Sequence, residues 1–257
     1  MKLSTSHNRY GCILGGRVHA TNHEDTIDWV LGRAGRGESG YVCFATVHMI
    51  VEAYDYSEFK DVINGAGLVT PDGMPLVWAL RLLGLREARR VSGPDLSPKI
   101  CKAAAARGIK VGFYGGTPEV LDKVVTRMKA IFPEIRIVYA CSPPFRALSQ
   151  EEDEQIVQDI MRSGAQVLFV GLGCPKQENW MRDHTDRIPA IMLGVGAMFN
   201  FVGGVIKRAP VWMQTLGLEW VHRIVTEPQR LWKRYLTTNP RFVMLFTIQL
   251  LRFGRFP

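Results

Sequence analysis

The chain has 257 residues, 47% of them hydrophobic and 22% charged, and its formal net charge is +8 at neutral pH. This length accommodates one large α/β domain, or one domain with an appendage, and the apolar fraction is that of an ordinary folded protein. The five cysteines include neither a CxxC pair nor the His spacing of a zinc site. Their odd number, and the lack of a secretory apolar core in residues 1–9, indicate a reducing compartment.

Residues 205–257 hold almost all of the excess positive charge. They contain nine Lys or Arg and two Glu, a net charge of +7 out of the total of +8. The same residues are rich in aromatic and long aliphatic side chains, a mixture typical of a segment at a membrane surface. A nucleic-acid patch shares the basic excess but not usually the aliphatics, so we expect a membrane surface and no nucleic acid as partner. The charged residues are Lys207, Arg208, Arg223, Arg230, Lys233, Arg234, Arg241, Arg252 and Arg255, with Glu219 and Glu227.

Strand-like and helix-like patterns alternate in the first part of the chain. Short apolar runs bounded by glycine or polar residues predict an edge strand with a turn, then a second strand. Helical spacing after a capping Thr or Asn predicts the helices that follow. The strands are predicted at 10–19 and 41–45, and the helices at about 22–35, 46–53 and 56–63.

A Pro-Asp-Gly turn in residues 67–75 joins a short apolar segment to a predicted helix over 74–83. Pro71 fixes its own φ and keeps Thr70 extended, and Gly73 can adopt positive φ without steric cost. The turn therefore holds the carboxylate of Asp72 at the ligand-binding edge of an open α/β sheet. Asp72 is the candidate for chemistry, and a cap of the following helix or a stabiliser of the turn is the structural alternative.

Three arginines precede the Ser-Gly-Pro-Asp loop that leads into a predicted helix over 96–107. A guanidinium pairs two phosphate oxygens at once, so such a cluster can clamp a diphosphate. A solvated surface is the simpler interpretation, and it is the one we favour for Arg86 and Arg89. For Arg90 both interpretations stay open.

Three strand–glycine-loop units follow, at 110–119, 167–178 and 191–200, with a further strand at 135–140 and a helix at 149–163. Strands that alternate with helices predict a parallel, Rossmann-like sheet with helices on both faces. Glycines at strand ends let backbone amides approach a phosphate at a helix N-terminus. Because no loop carries the GxGxxG or GxxxxGK[ST] spacing, a phosphorylated ligand is indicated but a dinucleotide is only weakly supported.

The pattern changes after residue 204, which predicts a core over 1–204 and a helical appendage over 205–257. Pro228 is expected to open a helix, and Asn239-Pro240 to break one. Residues 242–251 are nearly all apolar but far short of the ~20 residues that span a bilayer. They can lie in the membrane interface or pack on the core.

Six motifs occur in order along the chain. They are Thr70-Pro-Asp-Gly-Met-Pro75, Arg90-Val-Ser-Gly-Pro-Asp95, Gly112-Phe-Tyr-Gly-Gly-Thr-Pro118, Gly171-Leu-Gly-Cys-Pro-Lys-Gln-Glu178, Gly194-Val-Gly-Ala-Met-Phe-Asn-Phe201, and Arg208-Ala-Pro-Val-Trp212 with Gly217-Leu-Glu-Trp220. As a set they resemble the WecG/TagA/CpsF family of bacterial glycosyltransferases, in the family's motif order, and the resemblance covers roughly residues 41–235.

The resemblance implies an α/β core, a membrane-docking appendage, and transfer of a hexose or N-acetylhexosamine-type sugar from a UDP-sugar to an undecaprenyl-diphosphate-linked sugar. It implies inversion at the anomeric carbon, a role in making a surface polysaccharide or a teichoic-acid linkage unit, and a peripheral location on the cytoplasmic face of the inner membrane. No metal or other cofactor is implied, since the UDP-sugar is a co-substrate. Exposed aromatics on an apolar appendage are also compatible with a homo-oligomer.

Site residues follow from the motifs that match. Asp72 corresponds to the family's base, which takes the proton of the acceptor hydroxyl. Arg90, Arg223 and Arg230 correspond to groups that stabilise the departing UDP. The remaining substrate-binding candidates are Thr46, His48, Gly115, Gly116, Gly173, Lys176, Gln177, Glu178 and Asn200, of which Glu178 has a first-turn helix residue as its structural alternative.

Two positions depart from the family pattern. Asn200 stands where the family usually has Asp, and an amide cannot act as a base, so this position either binds or alters the activity. His48 stands where the family often has Asn, and its ring still donates or accepts one hydrogen bond. The other functional classes compatible with the residues are a nucleotide-dependent oxidoreductase and a non-catalytic lipid-binding module.

Overall fold

The structure is a computed structural model that describes residues 9–253, without the side chains of Arg230 and Phe253. A hairpin of β1 (Tyr10–Ile13) and β2 (Gly16–His19) forms a two-stranded antiparallel sheet. A second sheet contains β3 (Gly40–Ala45), β4 (Leu68–Pro71), β5 (Lys110–Gly115), β6 (Arg136–Cys141), β7 (Val167–Gly171) and β8 (Ile191–Gly194). The helices are α1 (His23–Gly35), α2 (Val47–Asp55), α3 (Ser57–Gly65), α4 (Met74–Leu82), α5 (Gly93–Arg107), α6 (Pro118–Ile131), α7 (Gln150–Ser163), α8 (Lys176–His184), α9 (Met198–Val202), α10 (Val211–Thr215), α11 (Glu219–Thr226) and α12 (Pro228–Phe253).

The larger sheet has the strand order β4-β3-β8-β7-β5-β6. Its pairs β3–β8, β8–β7, β7–β5 and β5–β6 are parallel, with Val42 opposite Leu193 and Phe113 opposite Phe169. Strands of this kind are covered on both faces, which explains why β7 reads Val-Leu-Phe-Val without polar alternation. The predicted α/β class, a parallel sheet surrounded by helices with a C-terminal helix, is confirmed.

The described residues divide into two compact units. Of the described residues, 9–25, 44–92 and 206–253 belong to the first unit, and 26–43 and 93–205 belong to the second. In the second unit the ring of Phe113 stacks on that of Phe169 at 5.0 Å, and Phe199 meets Phe113 edge-on at 6.1 Å. These aromatic contacts fill the core beneath the carboxyl ends of β5 and β7.

In the first unit, α12 packs along α2. Phe242 and Phe246 are buried, Arg241 forms an ion pair with Asp55 at 2.5 Å, and the Gln249 amide bonds the backbone of the β1–β2 hairpin. Residues 242–251 therefore pack on this unit through one side of the helix. Among residues 9–253 there is no helix whose length and hydropathy would let it cross a membrane.

Three element boundaries differ from the sequence predictions. The predicted edge strand at 10–19 is a complete hairpin, because Leu14 and Gly15 both adopt positive φ and reverse the chain. Helix α5 begins at Gly93, three residues before the predicted start. The predicted break at Pro240 is wrong, since α12 continues through it. Leu231 and Phe242, on either side of the proline, are buried. Their burial offsets the backbone hydrogen bond that proline cannot donate.

Candidate active site

Asp72 directly follows β4 in the first unit. Its backbone N–H donates to the carbonyl of Ala45 at 2.9 Å, and Val91 N–H donates to the carbonyl of Pro71 at the same distance. These bonds fix the backbone on both sides of the turn, while the Asp72 side chain keeps 22% of its surface exposed. The N-cap of α4 is Gly73, which has no side chain, so Asp72 is not the cap of that helix. A carboxylate that is held in place and partly open to solvent suits proton transfer.

Arg90 connects Asp72 to the C-terminal segment. Its Nε donates to the backbone carbonyl of Asp72 at 2.8 Å, and its terminal nitrogen Nη2 lies 3.8 Å from Asp72 Oδ1. The same Nη2 donates to Glu219 Oε2, on α11, at 2.6 Å. The side chains of Arg90 and Glu219 are 16% and 20% exposed, so this pair is shielded from most of the solvent. The guanidinium therefore lies between two carboxylates.

Glu219 is the member of this cluster that sequence reasoning missed. The sequence presented it as one of two acidic residues in a strongly basic segment and as part of the motif Gly217-Leu-Glu-Trp220, with no role in the site. Its rarity was a usable signal, because a carboxylate in a basic segment has cations nearby, and charged side chains are seldom buried without a partner. Arg86 and Arg89, by contrast, are exposed, as the solvated interpretation predicted.

Arg223 lies one turn further along α11. Its Nη2 is 3.6 Å from Glu227 Oε1, and its Nε is buried without a hydrogen-bond partner among the residues that the structure describes. A buried guanidinium nitrogen with unused donor capacity is costly unless a ligand supplies an acceptor. The position thus suits an arginine that binds an anion. Arg230 belongs to α12, and its side chain lies outside the described residues.

Tyr235, on α12, lies within the electrostatic reach of these groups. Burial raises the pKa of its phenol above the ordinary value, and Arg223 and Arg234 oppose that rise. The carboxylates of Glu219 and Asp72 add to it. The phenol stays protonated at neutral pH and can donate a hydrogen bond.

Thr46 and His48 come just after β3 in the chain and belong to the first unit. Thr46 is the N-cap of α2, where its hydroxyl accepts from Met49 N–H at 3.3 Å. Burial, and then the neighbouring charge of Arg234, lowers the pKa of His48 to about 4. The imidazole is therefore neutral at pH 7, like the amide that it replaces in the family pattern. Its Nδ1 is buried and has no hydrogen-bond partner within residues 9–253.

In the second unit, the chain connections change direction between the carboxyl ends of β5 and β7. From β5 the chain continues through α6 to the edge strand β6, and from β7 it continues through α8 to β8 on the other side. Neighbouring strands whose connections leave in opposite directions mark the place where open α/β sheets bind ligands. The N-termini of α6 and α8 follow directly from these two loops. Helix N-termini favour negatively charged groups.

Glycine is required where these two strand ends meet. Gly116 N–H donates to the carbonyl of Gly171 at 3.2 Å. Gly115 has φ of 125°, and a Cβ atom built on it would lie 2.4 Å from the Gly171 oxygen. No other residue fits that approach, so the predicted glycine loop has a backbone reason to be glycine. Gly173 is exposed in the loop after β7, and Lys176 is exposed at the start of α8.

Gln177 is buried and ties the ends of two strands together. Its Oε1 accepts from Gly173 N–H at 3.2 Å, while its Nε2 donates to the Gly194 carbonyl at 2.8 Å and to Glu178 Oε1 at 2.7 Å. Both amide hydrogens are therefore used within the protein. Among the described residues, Gln177 holds the loops that follow β7 and β8, rather than presenting its amide to solvent.

Glu178 is completely buried behind Gln177. Burial raises the pKa of its carboxyl to about 7, although hydrogen bonds from Gln177, its own backbone and Cys174 oppose that rise. Its Oε2 is buried and has no hydrogen-bond partner among residues 9–253. Glu178 does lie in the first turn of a helix, α8, as its structural alternative predicted. Its carboxylate, however, is buried inside the unit and does not interact with solvent.

Asn200 lies in the short helix α9 and is partly exposed. Its backbone carbonyl accepts from Val205 N–H at 2.9 Å, which ends the helix. Searched over residues 9–253, the structure contains no group of three or more His, Cys, Asp or Glu side chains that could hold a metal ion. The predicted absence of a metal in the reaction stays a prediction.

A parallel α/β sheet with glycine loops at its carboxyl edge and a carboxylate–arginine cluster is an arrangement suited to a group-transfer enzyme. Residues 12–255 match the Glycosyl transferase WecG/TagA/CpsF family, so the chain belongs to this family and is a glycosyltransferase. A similar protein is the N-acetylglucosaminyldiphosphoundecaprenol N-acetyl-beta-D-mannosaminyltransferase of Bacillus subtilis (strain 168). It is 29% identical over 188 residues, which cover 73% of this chain and 71% of that protein.

Proposed function

We propose that this protein is an inverting glycosyltransferase that moves a hexose or N-acetylhexosamine-type sugar from a UDP-sugar to an undecaprenyl-diphosphate-linked sugar. The name of the Bacillus relative supports the acceptor class, since that protein acts on an N-acetylglucosaminyl diphosphoundecaprenol. The product would serve the synthesis of a surface polysaccharide. The UDP-sugar is a co-substrate, and we propose that no other cofactor takes part.

The observation that carries this proposal is the position of Asp72 beside Arg90. In an inverting transfer the acceptor hydroxyl oxygen attacks the anomeric carbon while the bond to the UDP oxygen breaks. The attacking hydroxyl loses its proton, and Asp72 is the group that would accept it. Arg90 lies 3.8 Å from the carboxylate and donates to the backbone carbonyl of Asp72, so it helps to hold Asp72 in place. We propose that proton transfer is the main role of Asp72 and that stabilising the turn is a secondary one.

The UDP leaving group gains negative charge as the bond breaks. Arginines can stabilise that charge without a metal, and Arg90, Arg223 and Arg230 are the candidates. The unused Nε of Arg223 supports this role, since a phosphate oxygen would satisfy it. Thr46 and the neutral His48 would contribute hydrogen bonds to a substrate, and Tyr235 is a further donor for the same purpose.

In the second unit, we propose that the glycine loops after β5 and β7 bind the donor nucleotide. Gly115, Gly116 and Gly173 bring backbone amides close to the helix N-termini, where a phosphate is favoured. Lys176 is exposed at the first position of α8 and can add a positive charge. We propose that Asn200 binds rather than acts as a base, and that Gln177 and Glu178 shape these loops.

We propose that residues 205–257 dock a core of residues 1–204 to the cytoplasmic face of the inner membrane. Both acidic residues of the segment lie within 4 Å of an arginine nitrogen, Glu219 beside Arg90 and Glu227 beside Arg223. The exposed part of the segment is therefore basic and apolar, as interfacial binding requires. Self-association through the same apolar residues is a further proposal. Exposed apolar side chains in it include Val211, Trp212, Leu216, Val225, Trp232, Leu236, Val243, Met244 and Leu251.

The first test is UDP release from a panel of UDP-sugars, with and without a lipid-diphosphate-sugar acceptor. We expect release with one donor, dependent on the acceptor, and a fall of about 10²–10⁴-fold in kcat for Asp72→Asn, the range that a general base contributes. Asp61→Asn, an exposed carboxylate on α3, is the matched control and should keep full activity. Full activity of Asp72→Asn would exclude Asp72 as the base.

The same preparation separates the two alternative classes. Absorbance of bound NAD or FAD in the purified protein would favour a nucleotide-dependent oxidoreductase. Binding to vesicles without UDP release above background, for every donor, would favour a non-catalytic lipid-binding module. Neither alternative is supported by an observation as specific as the Asp72–Arg90 pair.

A further inference from the structure

Helix α4, which begins two residues after Asp72, has an exposed side that carries apolar and basic residues. Trp78 and Leu82 are 46% and 60% exposed, and Arg81 is exposed between them. These positions are spaced by three and four residues and so share one face. The opposite face is buried through Leu76, Val77, Ala79 and Leu80.

The exposed face of α4 adjoins the C-terminal segment. A Cβ atom at Gly217 would lie 3.0 Å from the Trp78 ring and 3.0 Å from Met74 Cβ, so the chain after α10 runs directly against α4. Leu216, which precedes this contact, is exposed, and so is Trp212 one turn earlier. This contact brings the C-terminal end of α10 next to α4. We call the exposed residues of the two helices and of the α10 C-cap the α4–α10 face: apolar Trp78, Leu82, Trp212 and Leu216, and basic Arg81.

The charge around the α4–α10 face is positive. Neither α4 nor α10 contains an acidic residue. Glu219, the first acidic residue after α10, accepts a hydrogen bond from Arg90 Nη2 at 2.6 Å, and Glu87, the first after α4, forms an ion pair with Arg9 at 2.7 Å. Arg81, Arg86 and Lys207 are exposed. A surface that combines tryptophan, leucine and unneutralised basic groups matches the anionic headgroup region of a bilayer.

We propose that the α4–α10 face is part of the docking surface for an anionic lipid bilayer, and that it holds Asp72 at the level of the headgroups. The inference rests on the lipid-linked acceptor of the proposed function, and it assigns membrane contact to α4, outside the C-terminal segment. Trp78 follows Asp72 by six residues, roughly 10 Å along a helix. An acceptor sugar tied by a diphosphate to a lipid stays near the headgroups, so a base at that depth can reach its hydroxyl.

A second copy of the chain is a poorer occupant of this face. In a two-fold symmetric dimer the same patch meets itself, so Arg81 would face basic groups of the partner without an acidic residue to compensate. Anionic lipids supply the missing charge. A bilayer also accepts the half-exposed indole of Trp78, whose ring is favoured at the membrane–water interface.

The test compares two double variants in flotation with vesicles of phosphatidylcholine and phosphatidylglycerol at a ratio of about three to one. Trp78→Ser with Leu82→Ser should lower the partition coefficient by roughly tenfold, as expected from the apolar area removed. Ile131→Ser with Phe145→Ser, which replaces exposed apolar residues of the second unit, is the matched control and should bind as wild type. Circular dichroism confirms that each variant is folded.

Trp212→Ser with Leu216→Ser separates this inference from the proposed function. If that variant loses vesicle binding while the α4 variant binds as wild type, α4 is not part of the docking surface. The proposal that residues 205–257 dock to the membrane is then still supported. If wild type itself does not bind the vesicles, both the inference and the membrane part of the proposed function fall. If the α4 variant binds vesicles normally but loses self-association in sedimentation velocity, the face is an interface between copies, and the inference is wrong.

Discussion

Arg90 has two acidic neighbours, and Glu219 is the closer one. At 2.6 Å, against 3.8 Å for Asp72 Oδ1, Glu219 fixes the guanidinium rather than merely neutralising it. A charge-assisted hydrogen bond between two mostly shielded groups restricts both side chains. We therefore interpret Glu219 as a positioning residue, which acts on the reaction through Arg90.

Replacement of Glu219 by Gln tests this interpretation. The amide keeps the shape of the side chain but removes its charge, so Arg90 loses the partner that orients it. We expect kcat/KM for the donor to fall about tenfold, which corresponds to the loss of one charged hydrogen bond. Glu219→Asp should recover part of the loss, and Glu58→Gln, exposed on α3, should have no effect. Higher activity in Glu219→Gln would mean that Glu219 competes with the diphosphate for Arg90.

Glu178 predicts a dependence of stability on pH. Because burial raises the pKa of its carboxyl to about 7, the folded protein binds more protons than the unfolded chain over the range from about pH 5 to 8. The free energy of unfolding should therefore decrease as pH rises through this window. Glu178→Gln has no carboxyl group that titrates at this position. Between about pH 5 and 8, the free energy of unfolding of wild type should therefore fall by about 2–3 kcal/mol relative to that of the variant.

Urea denaturation of both proteins at several pH values measures this difference. Glu119→Gln is a suitable control, because Glu119 is exposed and its pKa is lowered rather than raised. A difference between wild type and Glu178→Gln that stays constant with pH would show that the buried carboxyl does not titrate in this range.

At the scale of elements, helix α12 has a buried side and an exposed side. Phe242 and Phe246 are buried and stack on one another at 5.8 Å, while Val243 and Met244 are exposed. The sequence alone left open whether residues 242–251 pack on the protein or lie in the membrane interface. One face does pack on the protein, and the exposed face is free for the proposed membrane contact.

Phe242→Ala should lower the free energy of unfolding by about 3 kcal/mol, the lower end of the cost of removing a buried phenylalanine. Part of the loss is the free energy of moving the phenyl ring from water into the protein interior. The rest comes from the cavity that the ring leaves within the first unit. Val243→Ala, one residue along the same helix and exposed, should change stability by less than about 0.5 kcal/mol. Equal effects of the two changes in urea denaturation would mean that α12 does not pack through Phe242.

Element types followed from local patterns, whereas their ends did not. The runs Val-Leu-Phe-Val in β7 and Tyr-Val-Cys-Phe in β3 are apolar on both faces, which only a covered parallel strand explains. The continuation of α12 through Pro240 could not be predicted, because a proline inside a helix normally ends it. Buried anchors on both sides of Pro240 override that local preference, and they are contacts between distant parts of the chain.

At the scale of the whole molecule, the sequence showed where the positive charge lies but not how it is partitioned. Both acidic residues of 205–257 lie beside arginines. Glu227 is next to Arg223 of the same segment, whereas Glu219 is next to Arg90, which is far away in the chain. The C-terminal residues also share a compact unit with 44–92, which carries Asp72 and α4. A separation of function at residues 204 and 205 stays a prediction.

The sequence by itself determined the α/β class, the strand–glycine-loop units and Asp72 at the end of β4, because periodicity, turn chemistry and motif spacing are local properties. Only the tertiary structure decided that Arg90 is bound by Glu219, that Gln177 is buried between two loops, and that α4 adjoins the C-terminal segment. Those contacts join residues far apart in the chain. Their free energy depends on packing and burial across the folded unit, which no local pattern encodes.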